Sequence, residues 1–121
     1  MNKYRPIKDI EKEHLPCWFK SAIAYIENNH KNKLSIDEIA KKAGLSKYHF
    51  CRVFKTLTDQ TVIQYVNTVR IEKAKQLLKN PYLNITEICF KVGFSDISHF
   101  NKIFKRMVGM TPSGYKKNKP Q

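Results

Sequence analysis

Leu34-Ser-Ile-Asp-Glu-Ile-Ala-Lys-Lys-Ala-Gly-Leu-Ser46 returns as Leu83-Asn-Ile-Thr-Glu-Ile-Cys-Phe-Lys-Val-Gly-Phe-Ser95, an offset of 49 residues. The offset then becomes 50: His49, Phe50, Phe54, Lys55 and Thr61 recur as His99, Phe100, Phe104, Lys105 and Thr111. One residue is therefore inserted at the start of the later helix in the second copy. Two copies make a duplicated module, not a solenoid, which needs three or more stacked units to bury its faces.

Each copy has the grammar of a short helix, a glycine turn and a second helix. Ser35 with Glu38 makes a capping box, the hydroxyl accepting from an orphan amide while the carboxylate reaches back, and Asn84 with Glu87 offers the weaker equivalent. Helices are predicted to begin at Ile36 and Ile85. Ile36, Ile39, Ala40 and Ala43 lie at i, i+3, i+4 and i+7, as do Ile85, Ile88, Cys89 and Val92, so each helix has one apolar face. Gly44 and Gly93 end them, because a sharp turn needs a left-handed residue, which costs a side chain with a Cβ roughly 1 to 2 kcal/mol. Ser46, and Ser95 or Asp96, are the N-caps of the next helices.

In those second helices Phe50, Val53, Phe54 and Leu57 face inward, as do Phe100, Ile103, Phe104 and Met107. The residues left over are informative. Lys47, Tyr48, Cys51, Arg52 and Lys55 form the opposite face of one helix; Ile97, Ser98, Asn101, Lys102 and Lys105 form that of the other. A basic, hydrogen-bonding stripe on the second helix of a helix-turn-helix suits a DNA major groove, where Arg and Lys meet guanine edges or phosphates and Asn meets adenine. A solvated charged face is the bland alternative. Two such stripes in register on a basic chain favour DNA.

Thr61 and Gln64 make a third capping box and open a helix that runs to about Lys79, where Asn80-Pro81 stops it. Val62, Tyr65, Val66 and Val69 mark one apolar stripe, and Ile71, Ala74, Leu77 and Leu78 mark another, as suits a connector packing first on one module and then on the other. Upstream, Trp18, Phe19, Ala22, Ile23 and Ile26 make an amphipathic helix that completes the first core. Downstream, Pro112 at a first helical position, with Tyr115, predicts a short closing helix. The fold class is all-α: two helix-turn-helix subdomains, a homeodomain-like tandem, joined by a long connecting helix. Residues 1–14 read as a polar extension or linker, 15–60 as the first subdomain, 61–79 as the connector and 80–121 as the second subdomain.

The 121 residues suffice for one core or two small ones, and 41% apolar with 12% aromatic content is globular. Against 23 Lys and Arg stand 10 Asp and Glu, a net charge of +13. The excess is +3 over 1–33, +2 over 34–60, +3 over 61–80 and +5 over 81–121, so no single tail carries it. A polyanionic partner is implied. No stretch nears the roughly 18 apolar residues of a membrane span, and Lys3, Arg5, Asp9, Glu11 and Glu13 occupy the place of a signal peptide's apolar run. The chain reads as cytoplasmic. Cys17, Cys51 and Cys89 form no CxxC pair, and His14, His30, His49 and His99 show no zinc spacing, so neither metal nor cofactor is expected.

The chain resembles the DNA-binding domain of the AraC/XylS family of bacterial transcriptional regulators over roughly residues 18 to 117. The resemblance rests on Leu34 to Ala40 before Gly44, on Ser46 to Lys55, on Tyr65 and Arg70, and most of all on Val-Gly-Phe-Ser-Asp-Ile-Ser-His-Phe-Asn-Lys-Ile-Phe-Lys from Val92 to Lys105, followed by Gly109, Thr111-Pro112 and Tyr115. It implies two helix-turn-helix units on one connecting helix, binding successive major grooves of double-stranded promoter DNA and contacting RNA polymerase, as an activator does. Two departures stand out. Asp59 replaces the common glycine, which Gly109 keeps in the second copy, and Cys51 is a weak hydrogen-bonding residue where relatives present a stronger base reader. Ile97 meets a thymine methyl or merely packs.

Family members usually pair this domain with a sensory or receiver domain, and none fits into residues 1–17. Either the chain is a stand-alone regulator controlled by its abundance, or it is the C-terminal part of a longer one; the charged, aperiodic start favours the latter. A single chain is expected to bind as a monomer, with any dimer formed through a missing domain. The alternative function is a non-specific basic RNA- or DNA-binding protein, although no aromatic sheet platform of the kind RNA readers expose is in prospect. No phosphate loop, metal cluster or nucleophile signature suggests an enzyme.

Overall fold

The computed structural model describes residues 15–117, which form α-helices and the turns between them. The helices are α1 (Cys17–Asn29), α2 (Ile36–Ala43), α3 (Lys47–Thr58), α4 (Val62–Leu77), α5 (Ile85–Lys91), α6 (Ile97–Val108) and α7 (Pro112–Lys117). The expected linker over residues 1–14 lies outside the described residues. None of these helices is long and apolar enough to cross a membrane.

Two separate cores form. Phe19, Ala22 and Ile26 of α1, Ile39 and Ala40 of α2, and Phe50 and Phe54 of α3 close the first on Val62, Tyr65, Val66 and Val69. Ile88 and Cys89 of α5 with Phe100, Ile103 and Phe104 of α6 close the second on Ile71, Ala74 and Leu78. The change of apolar direction in the connector is thus the boundary between two cores that share one helix. Trp18 packs edge-on to Phe19 and Phe50 and belongs to the first core. Tyr115 of α7 meets Phe104 edge-on at 5.7 Å, so the closing helix seals the second core.

The caps follow the sequence with two differences. Thr61 and Gln64 form both bonds of their box, at 3.1 and 2.9 Å. Asn84 and Glu87, expected to be the weaker pair, also form both, at 2.7 and 2.9 Å. Ser35 accepts only from the Glu38 amide, at 3.4 Å. The chain enters the two complete boxes with ψ of 163° and 169° at the cap, against 129° at Ser35, which turns the Ser35 amide away from the returning carboxylate. The second difference is in α4, which ends at Leu77, two residues before the expected Lys79. The Lys79 and Asn80 amides turn back on Gln76 and Leu77, and Asn80 Oδ1 accepts from the Tyr82 amide, so the Asn-Pro turn begins earlier than its proline.

Both helix-turn-helix corners close alike. The Gly44 and Leu45 amides donate to Lys41 and Ala40, and the Gly93 and Phe94 amides donate to Phe90 and Cys89. Gly44 has φ +75° and Gly93 φ +112°, the left-handed backbone that this paired closure requires. After Gly93 the inserted residue moves the cap of α6 to Asp96, whose carboxylate accepts from the Ser98 and His99 amides. Of the two candidates for that cap, Asp96 holds it.

Candidate nucleic-acid interface

The two exposed stripes stand on helices of equal length, α3 and α6, each of 12 residues. Alternation of Phe50, Phe54 and of Phe100, Ile103, Phe104 with polar residues forces the polar ones outward, since each buried aromatic anchors its helix to the core. On α3, Lys47, Tyr48, Arg52 and Lys55 are exposed; on α6, Ser98, Asn101, Lys102 and Lys105 are exposed. Cys51 is half-buried and packs against the first core, and Ile97 does the same on the second. These two lie at the flanks of their stripes.

The stripes differ in one side-chain contact. The Arg52 guanidinium lies over the Tyr48 ring at 5.8 Å from its centroid, so the cation and the aromatic form one platform. Lys102, its counterpart 50 residues on, has Ser98 in the place of the ring. Ser46 accepts from the His49 amide at 3.2 Å and fixes the start of α3, as Asp96 fixes that of α6. His99 also meets Phe94 edge-on at 5.8 Å.

Three residues that sequence patterns did not single out for a role tie the connections between the helices to the rest of the fold. Arg70 of α4 donates to the carbonyls of His30 and Asn32 in the α1–α2 connection, at 2.8 and 3.0 Å. Burial pushes its guanidinium down from the ordinary value. His30 is buried, and its Nδ1–H donates to the Val92 carbonyl at 3.2 Å, across 62 residues of chain. Burial is also the main cause lowering the His30 imidazole from its ordinary value; the Val92 carbonyl opposes it, and Lys73, Lys31 and Arg70 add to it. Lys116 of α7 donates to the Asn80 and Leu83 carbonyls and pins the loop before α5. Partnerships with so large a sequence separation leave no local periodicity to detect.

A family profile described as a helix-turn-helix domain matches residues 39–118. The HTH-type transcriptional regulator YdeC of Bacillus subtilis is 37% identical over 98 residues, covering 81% of this chain and 34% of that protein. Regulatory protein SoxS of Escherichia coli is 34% identical over 94 residues, covering 78% of this chain and 88% of SoxS. A solved transcriptional regulator of Chromobacterium violaceum, one of the AraC-type DNA-binding domain-containing proteins, superposes with a TM-score of 0.78 at 27% identity, covering 86% of this chain and 95% of that one. The chain spans about a third of the length of YdeC.

Proposed function

Since this chain belongs to the AraC/XylS family of helix-turn-helix transcriptional regulators, we propose that it binds promoter DNA sequence-specifically, laying α3 and α6 into successive major grooves. The observation that carries this reading is the pair of exposed polar stripes at matching places on two helices anchored to one connector. Arg52, Tyr48 and Asn101 are the base readers, since a guanidinium fork suits guanine and a carboxamide suits adenine. Lys47, Lys55, Lys102 and Lys105 hold phosphates and supply the salt-dependent part of affinity. Ser98 meets either; Cys51 and Ile97 shape the groove fit from the stripe edges.

A connector of 16 residues spans roughly 24 Å at 1.5 Å per residue, while groove repeats lie about 34 Å apart. The shortfall favours DNA bent toward the protein, or else one helix only partly inserted. Because Tyr48 stands against Ser98 and Cys51 against Asn101, the site is asymmetric, and one chain suffices for it. The polymerase is the partner that a DNA-bound activator of this type recruits, in the bacterial cytoplasm and without catalysis.

Selection of bound DNA from a random pool, followed by footprinting and a mass measurement of the complex, tests the reading. It expects one chain protecting about 20 base pairs, two helical turns. A pool that does not converge favours non-specific binding, and protection of one groove per chain removes the two-groove reading.

A further inference from the structure

Beside the helix that they share, the modules meet around one cation at the edge of the second core. Arg70 holds the α1–α2 connection of the first module through two carbonyl bonds, His30 O at 2.8 Å and Asn32 O at 3.0 Å. The same guanidinium lies over the Phe94 ring, 5.6 Å from its centroid. Phe94 belongs to the turn that launches α6, and its ring packs on Phe100 at 5.2 Å. Contacts therefore run from the first module through Arg70 to the base of the second recognition helix. Two neighbours tighten them. His30 donates to the Val92 carbonyl, and Gly93 lies so close that a Cβ there would collide with the His30 carbonyl oxygen and stand 2.7 Å from Arg70 Nε.

Among the described residues, α4 is the one helix that both cores share. A single helix resists stretching but bends gently along its length, so it fixes the separation of its ends better than their relative angle. A second point of attachment off the α4 axis closes a triangle and removes that freedom.

We propose that Arg70 is a positioning residue for DNA recognition: by tying the α1–α2 connection to the base of α6, it sets the angle and separation at which α3 and α6 meet DNA, and so selects operators by the spacing of their two half-sites. The inference rests on the two-groove reading above. The guanidinium suits this place because its planar fork serves two carbonyls while its face stacks on a ring, which a lysine ammonium does not do. Arg70 touches no base in this scheme; it acts through the placement of Arg52 and Asn101.

The test is a set of operators, taken from the selected consensus, with the spacer between half-sites changed by one or two base pairs in either direction. One base pair moves a half-site by about 3.4 Å and turns it by about 35°. The wild-type chain is expected to lose about tenfold in affinity per added or removed base pair, because a rigid frame forces the DNA to absorb the mismatch. Arg70→Ala and the charge-preserving Arg70→Lys are expected to flatten that profile to about threefold while changing binding to an isolated half-site by less than about twofold. Phe94→Leu, which keeps an apolar side chain but removes the ring, gives a milder flattening and serves if Arg70→Ala does not fold. Variants that weaken every spacing by one common factor, leaving the profile as sharp as wild type, would show that Arg70 is merely structural and overturn the proposal. A flat profile in the wild-type chain removes the two-groove reading, and the role of Arg70 with it; a sharp one retained in the variants removes only the latter.

Discussion

The two helix-turn-helix corners are built by one sequence pattern and used in two different ways. Gly44 and Gly93 both take a left-handed backbone and close with the same pair of amide bonds, yet beyond its own stretch of chain nothing lies within 4 Å of where a Cβ on Gly44 would stand. At Gly93 the same Cβ would strike the His30 backbone and the Arg70 side chain. A duplicated module thus repeats its own turn, while the assembly decides what the turn meets. The sharpest way to break the comparison is to add one methyl group to each. Gly44→Ala is expected to cost about 1 to 2 kcal/mol, the strain of a left-handed alanine. Gly93→Ala adds a clash with backbone that cannot swing aside, and the expected loss is about 3 kcal/mol or more. Urea denaturation of the two variants measures this; equal losses would mean that the junction yields without cost.

The exposed stripes differ in a second way that DNA binding can sharpen. Arg52 is held over Tyr48, while Lys102 has only Ser98 at the corresponding place. Arg52→Ala is expected to relax base preference by about 1 to 3 kcal/mol at one position of the site, visible as a change in the selected consensus. Lys102→Ala is expected to weaken all sequences alike and to lower the slope of log K against log salt by roughly one unit. Equal loss on specific and random DNA for Arg52→Ala would sink its assignment as a base reader.

What was legible in the chain is whatever repeats or alternates. The helix starts at Ile36 and Ile85, the inward aromatics and the split apolar stripe of α4 all follow from local periods, because each is decided by burial of one face. The outward placement of Lys47, Tyr48, Arg52 and Lys55 is the complement of that burial. Cys51 and Ile97 were harder to place, since residues at the edge of a stripe are assigned by a few degrees of helix rotation. The junction was not legible as a structure: Arg70 entered only through resemblance, and His30 only as a histidine without metal spacing. Their partners are carbonyls and a ring 38 to 62 residues away or on another module, and a backbone carbonyl has no signature in sequence.

The ends of the recognition helices offer a smaller contrast. Asp59 ends α3 with φ +63°, and Gly109 ends α6 with φ +96°, each amide closing on a lysine carbonyl, Lys55 or Lys105. An aspartate tolerates this backbone better than most residues but still strains it, and it brings negative charge to the negative end of a helix. Asp59→Gly is expected to stabilise the chain by about 1 kcal/mol, and Gly109→Asp to destabilise it by a similar amount. Thermal melts of the two exchanges test the symmetry; a loss of stability on Asp59→Gly would show that the carboxylate contributes more than the strain costs.

The smallest expected effect is a dependence on pH that only one of the two copies carries. His30 follows α1 in the first module, and the residue 49 positions later is Lys79, which is exposed. The His30 imidazole is buried, close to the charges of Lys73, Lys31 and Arg70, and its folded value lies below the ordinary 6.5, burial being the largest cause. The unfolded chain therefore binds a proton on His30 at a pH where the folded chain does not. Stability from this group is complete above the unfolded value and falls as the pH drops through 6.5 toward the folded value, because protons then favour the unfolded state. Acid titrates other groups as well, so the measurement is a difference: urea midpoints of the wild type and His30→Gln at pH 7.5 and 5.5. The glutamine carboxamide can still donate toward Val92 but takes up no proton in this range. The variant is expected to start lower at pH 7.5, through imperfect filling of the imidazole's place, and to lose less on acidification. Parallel losses in the two proteins would mean that the imidazole takes up its proton alike in the folded and unfolded chain, the Val92 carbonyl offsetting burial and the neighbouring charges.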